Sequence, residues 1–326
     1  MDGKKQIRRI GVLTSGGDAP GMNAAVRAVV RTATSQGISC LGIRRGYNGL
    51  INGDVVELDA RSVDGITKKG GTILYTARCL EFMTPEGLQK AVNTCKYLGL
   101  DALVAIGGDG TFRGAQTLSR AGVPAIGIPG TIDNDITCTD YTIGFDTAQN
   151  TAIEAIDKLS DTMQSHERCS IVEVMGRAAG HLALNVGVAT GATAILVPER
   201  EIDIENEIVE KMRYGKIRGR NHHVIIVAEG FGNAEDIGHK IYDLTGIETR
   251  LTVLGHIQRG GSPTAMDRVM AIRMGAHAVE VIMDGKTNRV VCFKDNKICN
   301  VDIEEALAMH KDLDDHLYST SKAVSN

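Results

Sequence analysis

The chain has 326 residues and a mass of 34.8 kDa, is 43% hydrophobic, and carries a formal charge of −4 with a pI near 6.2. Such a globular chain can bury a substantial core and divide into two domains, and its charge offers no net basic field for nucleic acid or an anionic membrane. Its seven cysteines are odd in number, scattered and free of any C-x-x-C pair, which points to reduced thiols in the cytoplasm.

The basic N-terminal residues run directly into Ile10-Gly11-Val12-Leu13, with no apolar segment long enough for export or membrane spanning. Ile10 to Thr14 reads as the first strand, Asn23 to Thr34 as a helix and Ile38 to Ile43 as the next strand. Pro85-Glu86 opens a helix that stops near Gly99, with proline at the first turn. Further strands are expected at Ala102 to Ile106, Pro124 to Ile128, Cys169 to Val174, Ala194 to Val197, His222 to Ala228 and Thr249 to Val253, separated by segments of helical period. This alternation predicts βα units and a parallel sheet. No Pro- or Ser-rich linker marks a domain boundary.

Two turns share the pattern Gly-Gly-Asp between a strand and a helix: Gly16-Gly17-Asp18 and Gly107-Gly108-Asp109-Gly110-Thr111. Glycine lets backbone amides approach an anion there, the helix start favours negative charge, and Asp109 offers an oxygen ligand to a hydrated Mg²⁺ bridging phosphates. An ordinary βα turn uses the same residues for backbone reasons alone. Neither G-x-x-x-x-G-K-[ST] nor a strict G-x-G-x-x-G is present, so a nucleotide site here is of another type.

Pro129-Gly130-Thr131-Ile132-Asp133-Asn134-Asp135 sets two carboxylates just past a buried-type strand, where open α/β sheets bind ligands. Taken singly, Asp133 and Asp135 read as turn or helix caps. Joined to a phosphate-type turn in the preceding βα unit, they match phosphoryl transfer to an alcohol, which needs a metal on the donor oxygens and a carboxylate to take the hydroxyl proton. Arg168, Met175-Gly176-Arg177, Arg250 and His256-Ile257-Gln258-Arg259 stand at strand ends as cationic clamps for a sugar phosphate, and Glu229 ends an apolar strand as an acceptor for sugar hydroxyls. Each alone also reads as a solvated charge or a satisfied buried ring.

The ordered set T-S-G-G-D-A-P-G-M-N (Thr14 to Asn23), I-G-G-D-G-T (Ile106 to Thr111), P-G-T-I-D-N-D (Pro129 to Asp135), V-E-V-M-G-R (Val172 to Arg177) and G-H-I-Q-R-G-G (Gly255 to Gly261) resembles the bacterial-type ATP-dependent 6-phosphofructokinases. The resemblance implies two Rossmann-like three-layer α/β domains with mainly parallel sheets and the active site in the cleft between them. Residues 1–143 plus about 257–305 would form the larger ATP-binding domain, and 144–256 plus about 306–326 the smaller fructose 6-phosphate-binding domain. It further implies a cytoplasmic, allosteric glycolytic phosphotransferase with Mg²⁺ as cofactor and ATP as co-substrate. The assembly would be a homotetramer whose active sites are completed by neighbouring subunits.

Carried over by position, Gly17, Arg78, Cys79, Gly108, Asp109, Gly110 and Thr111 would contact ATP, with Asp109 serving the metal. Asp133 would be the base on the sugar's 1-hydroxyl, and Thr131, Asp135, Arg177, Gly17 and Arg78 would complete the catalytic set. Thr131, Ile132, Asp133, Met175, Gly176, Arg177, Glu229, His256, Ile257, Gln258 and Arg259 would bind fructose 6-phosphate, with Arg168 and Arg250 reaching it from a neighbouring subunit. Pyrophosphate-using relatives place Asp at the position of Gly110 and Lys at that of Gly130, so the two glycines resemble the ATP pattern.

At the effector site, Arg27 and Arg31 match and Arg218, Arg220 and His222 resemble the basic run. Ala60 and Ser160 replace arginines, however, and Gly65 and Thr193 replace acids, so control by ADP or phosphoenolpyruvate is expected to be weak, absent or altered. The competing readings are a pyrophosphate-dependent or other sugar phosphate kinase of the same fold, a non-catalytic regulatory subunit, and a nicotinamide-dependent dehydrogenase. The regulatory subunit should have lost Asp109, Asp133 or Asp135, and the dehydrogenase lacks its glycine fingerprint.

Overall fold

The computed structural model describes residues 6–325, so the first part of the basic N-terminal segment lies outside the described residues. The strands are β1 (Arg9–Thr14), β2 (Ser39–Ile43), β3 (Val55–Leu58), β4 (Ala102–Gly107), β5 (Ala125–Pro129), β6 (Cys169–Val174), β7 (Ala194–Leu196), β8 (His223–Ala228), β9 (Thr249–Val253), β10 (Arg289–Lys294) and β11 (Lys297–Asp302). The helices are α1 (Met22–Ser35), α2 (Gly46–Asn52), α3 (Pro85–Tyr97), α4 (Asp109–Arg120), α5 (Phe145–His166), α6 (His181–Ala189), α7 (Glu210–Ile217), α8 (Ala234–Thr245), α9 (Ala265–Met283), α10 (Ile303–Ala308) and α11 (Asp315–Val324).

The chain forms two compact units. The first comprises residues 1–131, 136–147 and 259–311, and the second comprises 132–135, 148–258 and 312–326. Residues 132–135 thus group with the second unit, although the sequence assigns them to the first.

The first unit holds a seven-stranded sheet in the order β11-β10-β5-β4-β1-β2-β3. Its interior pairs are parallel, and antiparallel pairs stand at its edges, β2 with β3 and β10 with β11. The sequence reading omits β3 and the β10–β11 hairpin. β3 and β11 are partly exposed edge strands, whereas β10 lies inside the sheet with a short apolar run, Val290 to Phe293, bounded by charged residues, and the hairpin closes on Asp295 and Asn296, each at positive φ. Leu13, Ile43, Leu50, Leu103, Phe112 and Leu118 belong to the core of this unit. At Gly275 a Cβ would lie 2.7 Å from the Ala28 Cβ, so glycine sets the close approach of α9 to α1.

The second unit holds a four-stranded parallel sheet in the order β7-β8-β6-β9. Its core includes Ile171, Leu196, Ile208, Met212, Ile225 and Ile241. β8 is buried along its whole length, as an interior strand of a parallel sheet should be, and is apolar from Val224 to Ala228, whereas β9 is a partly exposed edge.

Candidate active site

In the first sheet β1 pairs with β2 on one side and β4 on the other, with Thr14 opposite Ile106. The strand order reverses at this point, and the crevice there is the general ligand site of doubly wound sheets. Both Gly-Gly-Asp turns leave the carboxyl ends of these neighbouring strands. Ser15 N donates to Ile106 O at 2.9 Å, and Thr111 Oγ1 donates to Ser15 O at 3.3 Å, so the two turns are stitched together.

The second turn ends directly in α4, with Gly108 as the extended N-cap and Asp109 in the first helical turn, which presents the helix start to an anion. Tyr47 Oη donates to Thr111 O at 2.5 Å, and its ring lies where a side chain on Gly114 would be, fixing the helix from behind. A Cβ at Gly110 would meet no atom within 4 Å, so the space beside the turn is open. Arg78 is exposed on the loop after Tyr75, and Cys79 is half-buried against the core.

Arg259 donates from Nη1 to Asp18 O at 3.2 Å, and its guanidinium occupies the place a Cβ on Gly17 would take. The sequence assigns Arg259 to the sugar phosphate. The structure places it on the first glycine turn.

Pro129 ends β5, beside β4. Gly130 is backed by the core, since a Cβ there would lie 3.1 Å from Ile106 Cγ2 and 3.2 Å from Met22 Cε. Thr131, Ile132 and Asp133 are buried, Asp133 being 2% exposed, and Asp135 is half-buried. Between the two acids, Asn134 takes φ 51°, a left-handed conformation that asparagine tolerates better than most residues.

In the second unit, Met175-Gly176-Arg177 leaves the carboxyl end of β6 and Glu229 that of its neighbour β8. Glu229 Oε1 accepts from Gly176 N at 3.2 Å and Arg177 N at 2.6 Å, so this carboxylate first shapes the turn that aims Arg177. Gly176 and Arg177 both have positive φ, and a non-glycine residue held there stores strain of the kind that collects at functional sites. Gln258 is fully buried and accepts from Met175 N, whereas His256 and Ile257 are exposed.

Arg168 and Arg250 come together elsewhere. They stand at the amino ends of the paired strands β6 and β9, and both engage Glu248, Arg168 Nε at 2.7 Å. The length of β6, at about 3.3 Å per residue, sets them roughly 20 Å from the Met175–Arg177 turn. They therefore serve a different end of the unit from the other acceptor-site candidates.

The Phosphofructokinase family profile matches residues 9–282. The chain belongs to the phosphofructokinase family. It is 56% identical over 319 residues to the ATP-dependent 6-phosphofructokinase of Clostridium novyi (strain NT), covering 98% of this chain and 100% of that protein. The corresponding protein of Clostridium botulinum (strain Hall / ATCC 3502 / NCTC 13319 / Type A) is 54% identical with the same coverage. Phosphofructokinase from Saccharomyces cerevisiae superposes with a TM-score of 0.87 at 35% identity over 97% of this chain, which spans about half (46%) of the yeast chain.

Of the residues resembling the family's effector site, Arg218 and Arg220 line a cavity of about 440 Å³ with Thr193, Lys211, Tyr214 and His223. His223 stands in its wall, and His222 precedes β8 half-buried. Arg31 donates to Ala60 O and Asp64 Oδ1 in the first unit.

Burial lowers the His223 pKa from 6.5 to about 4, with Arg220 and His222 adding repulsion. The unfolded chain therefore binds the extra proton between those values, and the stability due to neutral His223 is lost as pH falls from 6.5 towards 4. Thermal melts across this range should show a shallower acid decline in His223→Asn than in the parent.

Proposed function

We propose that this chain transfers the γ-phosphoryl group of MgATP to the 1-hydroxyl of fructose 6-phosphate, giving fructose 1,6-bisphosphate and ADP in cytoplasmic glycolysis. The observation that carries the reading is the pair of stitched glycine turns at the switch point between β1 and β4, with the Pro129–Asp135 stretch leaving the adjacent β5. The first unit is the ATP-binding part and the second the sugar-phosphate-binding part.

The amides of Gly17 and Gly108 to Thr111 cradle the donor phosphates, with Arg78 and Cys79 beside the nucleotide. Mg²⁺ usually arrives on phosphates and needs only one or two protein carboxylates, so an acid at a helix start fits it. Among the described residues no three His, Cys, Asp or Glu side chains form a metal cage, and Asp109 is the residue that would hold the ion. When bound, it supplies positive charge to the phosphate oxygens. Asp133 takes the proton of the 1-hydroxyl, Thr131 and Asp135 flank the transferring group, and Arg177 balances its charge. Ile132, Met175, Gly176, Glu229, His256, Ile257 and Gln258 position the acceptor, and Arg259 adds positive charge from the first glycine turn.

We read the assembly as a homotetramer. Arg168 and Arg250, at the amino ends of β6 and β9, lie too far from the Met175–Arg177 turn to serve the same sugar as Arg177, and β9 exposes apolar Leu251 (39%) and Val253 (55%) on a sheet edge, a surface that favours burial against another copy. Arg250→Ala should raise the KM for fructose 6-phosphate by about 10- to 100-fold, the worth of a charge-assisted hydrogen bond, without raising the KM for ATP.

The cytoplasmic setting agrees with seven free cysteines, of which buried Cys40 and Cys169 are pushed up to about 12 and stay protonated at neutral pH. Among the described residues no helix is long and apolar enough to cross a membrane.

The deciding experiment is steady-state kinetics with fructose 6-phosphate and either ATP or pyrophosphate, with and without ADP and phosphoenolpyruvate. Turnover with ATP alone supports the reading, and turnover with pyrophosphate alone overturns the donor assignment. Sigmoidal fructose 6-phosphate kinetics that ADP makes hyperbolic would overturn the weakened-effector reading drawn from Ala60, Gly65, Ser160 and Thr193.

A further inference from the structure

Asp267 is fully buried in the first turn of α9, and nothing in the chemistry above uses it. Its carboxylate accepts four hydrogen bonds. Tyr141 Oη (2.5 Å) and Gly144 N (2.6 Å) donate to Oδ1, and Thr147 N (2.8 Å) and Thr147 Oγ1 donate to Oδ2. All four donors belong to residues 141–147, the stretch that leads into α5. Gly144 N and Thr147 N are amides at the start of α5, and Asp267 N is itself bonded by the α9 cap Thr264 at 3.3 Å, so the carboxylate sits between two helix starts. Burial pushes its pKa up, and the four donors oppose that shift.

The same stretch grips the segment that carries the proposed base. Ile143 N donates to Pro129 O at 3.0 Å, Gly130 and Ile143 form a parallel bridge, and Thr142 Oγ1 donates to Thr131 O at 2.6 Å. It also touches the first glycine turn's exit, since a Cβ at Gly144 would lie 2.6 Å from Ala19 Cβ and one at Gly21 would lie 2.6 Å from Ile143 Cγ2. A continuous hydrogen-bonded path thus runs from Asp267 through residues 141–147 to Pro129–Thr131, two residues before Asp133.

We propose that Asp267 is a positioning residue for phosphoryl transfer, clamping residues 141–147 so that the Pro129–Thr131 backbone holds Asp133 in register. The role rests on the kinase reading above. Misplacing a reacting group by about 1 Å costs on the order of 100-fold in rate without abolishing binding, so loss of the clamp should appear in kcat before KM.

The test compares Asp267→Asn, Thr147→Val, Thr147→Ser and Tyr141→Phe by steady-state kinetics and thermal melting. Thr147→Val keeps the shape of the side chain but removes its donor to Asp267 and its acceptor for Thr264 N, whereas Thr147→Ser restores both. Expected are a fall in kcat of at least about tenfold in Asp267→Asn and Thr147→Val, with KM for ATP within about twofold, in variants still folded at the assay temperature. Thr147→Ser should return close to the parent. If Asp267→Asn does not fold, the Thr147 and Tyr141 variants give the same readout. A kinase-active parent whose folded variants keep its kcat overturns the positioning role alone. A parent inactive towards ATP and fructose 6-phosphate overturns the kinase reading and this role with it.

Discussion

Asp133→Ala is expected to lower kcat by about 10²- to 10⁴-fold while leaving the KM values for ATP and fructose 6-phosphate within about threefold of the parent. A general base acts on a proton that moves only as the new bond forms, so its loss falls on the transition state rather than on ground-state binding. The position suits that role: Asp133 is buried on a short irregular segment just after β5, next to a left-handed Asn134 that turns the chain. Steady-state kinetics over pH decide the matter. A variant with near-normal kcat would move the base to another residue, and Asp135 is the next carboxylate on the stretch.

The second large effect concerns the donor. Gly110→Asp should abolish most ATP-dependent activity, lowering kcat/KM for ATP by about 100-fold or more, because a fixed carboxylate beside the phosphates adds like-charge repulsion in the space they need. The same substitution should leave the melting temperature unchanged or raise it. Its Cβ meets nothing within 4 Å, and an acidic residue replaces glycine in the first turn of α4, where the helix start favours negative charge. Activity and stability would then move independently, which separates a blocked site from a damaged fold. Gly130→Lys differs, since Ile106 and Met22 already crowd the place of its Cβ and the side chain can enter only if the core gives. Melting curves of the two variants should therefore diverge. A Gly110→Asp protein that kept its ATP kinetics would place the donor phosphates elsewhere.

Much of the fold was legible because parallel βα units write themselves locally. The buried strands β4, β5, β6 and β8 are continuous or nearly continuous apolar runs, and the helices that follow them begin just after glycine or asparagine. The edge strands β3 and β11 were missed because a half-exposed antiparallel strand has no such run and depends on its neighbour for definition, and β10 because its apolar run, Val290 to Phe293, is short and bounded by the charged Arg289 and Lys294.

The site divides the same way. The glycine turns, Asp109, the Pro129–Asp135 stretch and the arginines were visible as residue types at spacings, since the chemistry of phosphate and of proton transfer demands those groups. By itself the sequence determined the α/β class, the family and the list of groups able to do the chemistry, because these depend on local pattern and composition.

Only the tertiary structure decided which groups share a place. It set the two glycine turns side by side through the pairing of β1 with β4, laid Arg259 on the first of them, and separated Arg168 and Arg250 from Arg177 by the length of one strand. It also revealed Asp267, whose four partners lie 120 to 126 residues away in the chain. Strand register and the burial of a charge against distant donors depend on contacts across the fold, and no local pattern of residues encodes them.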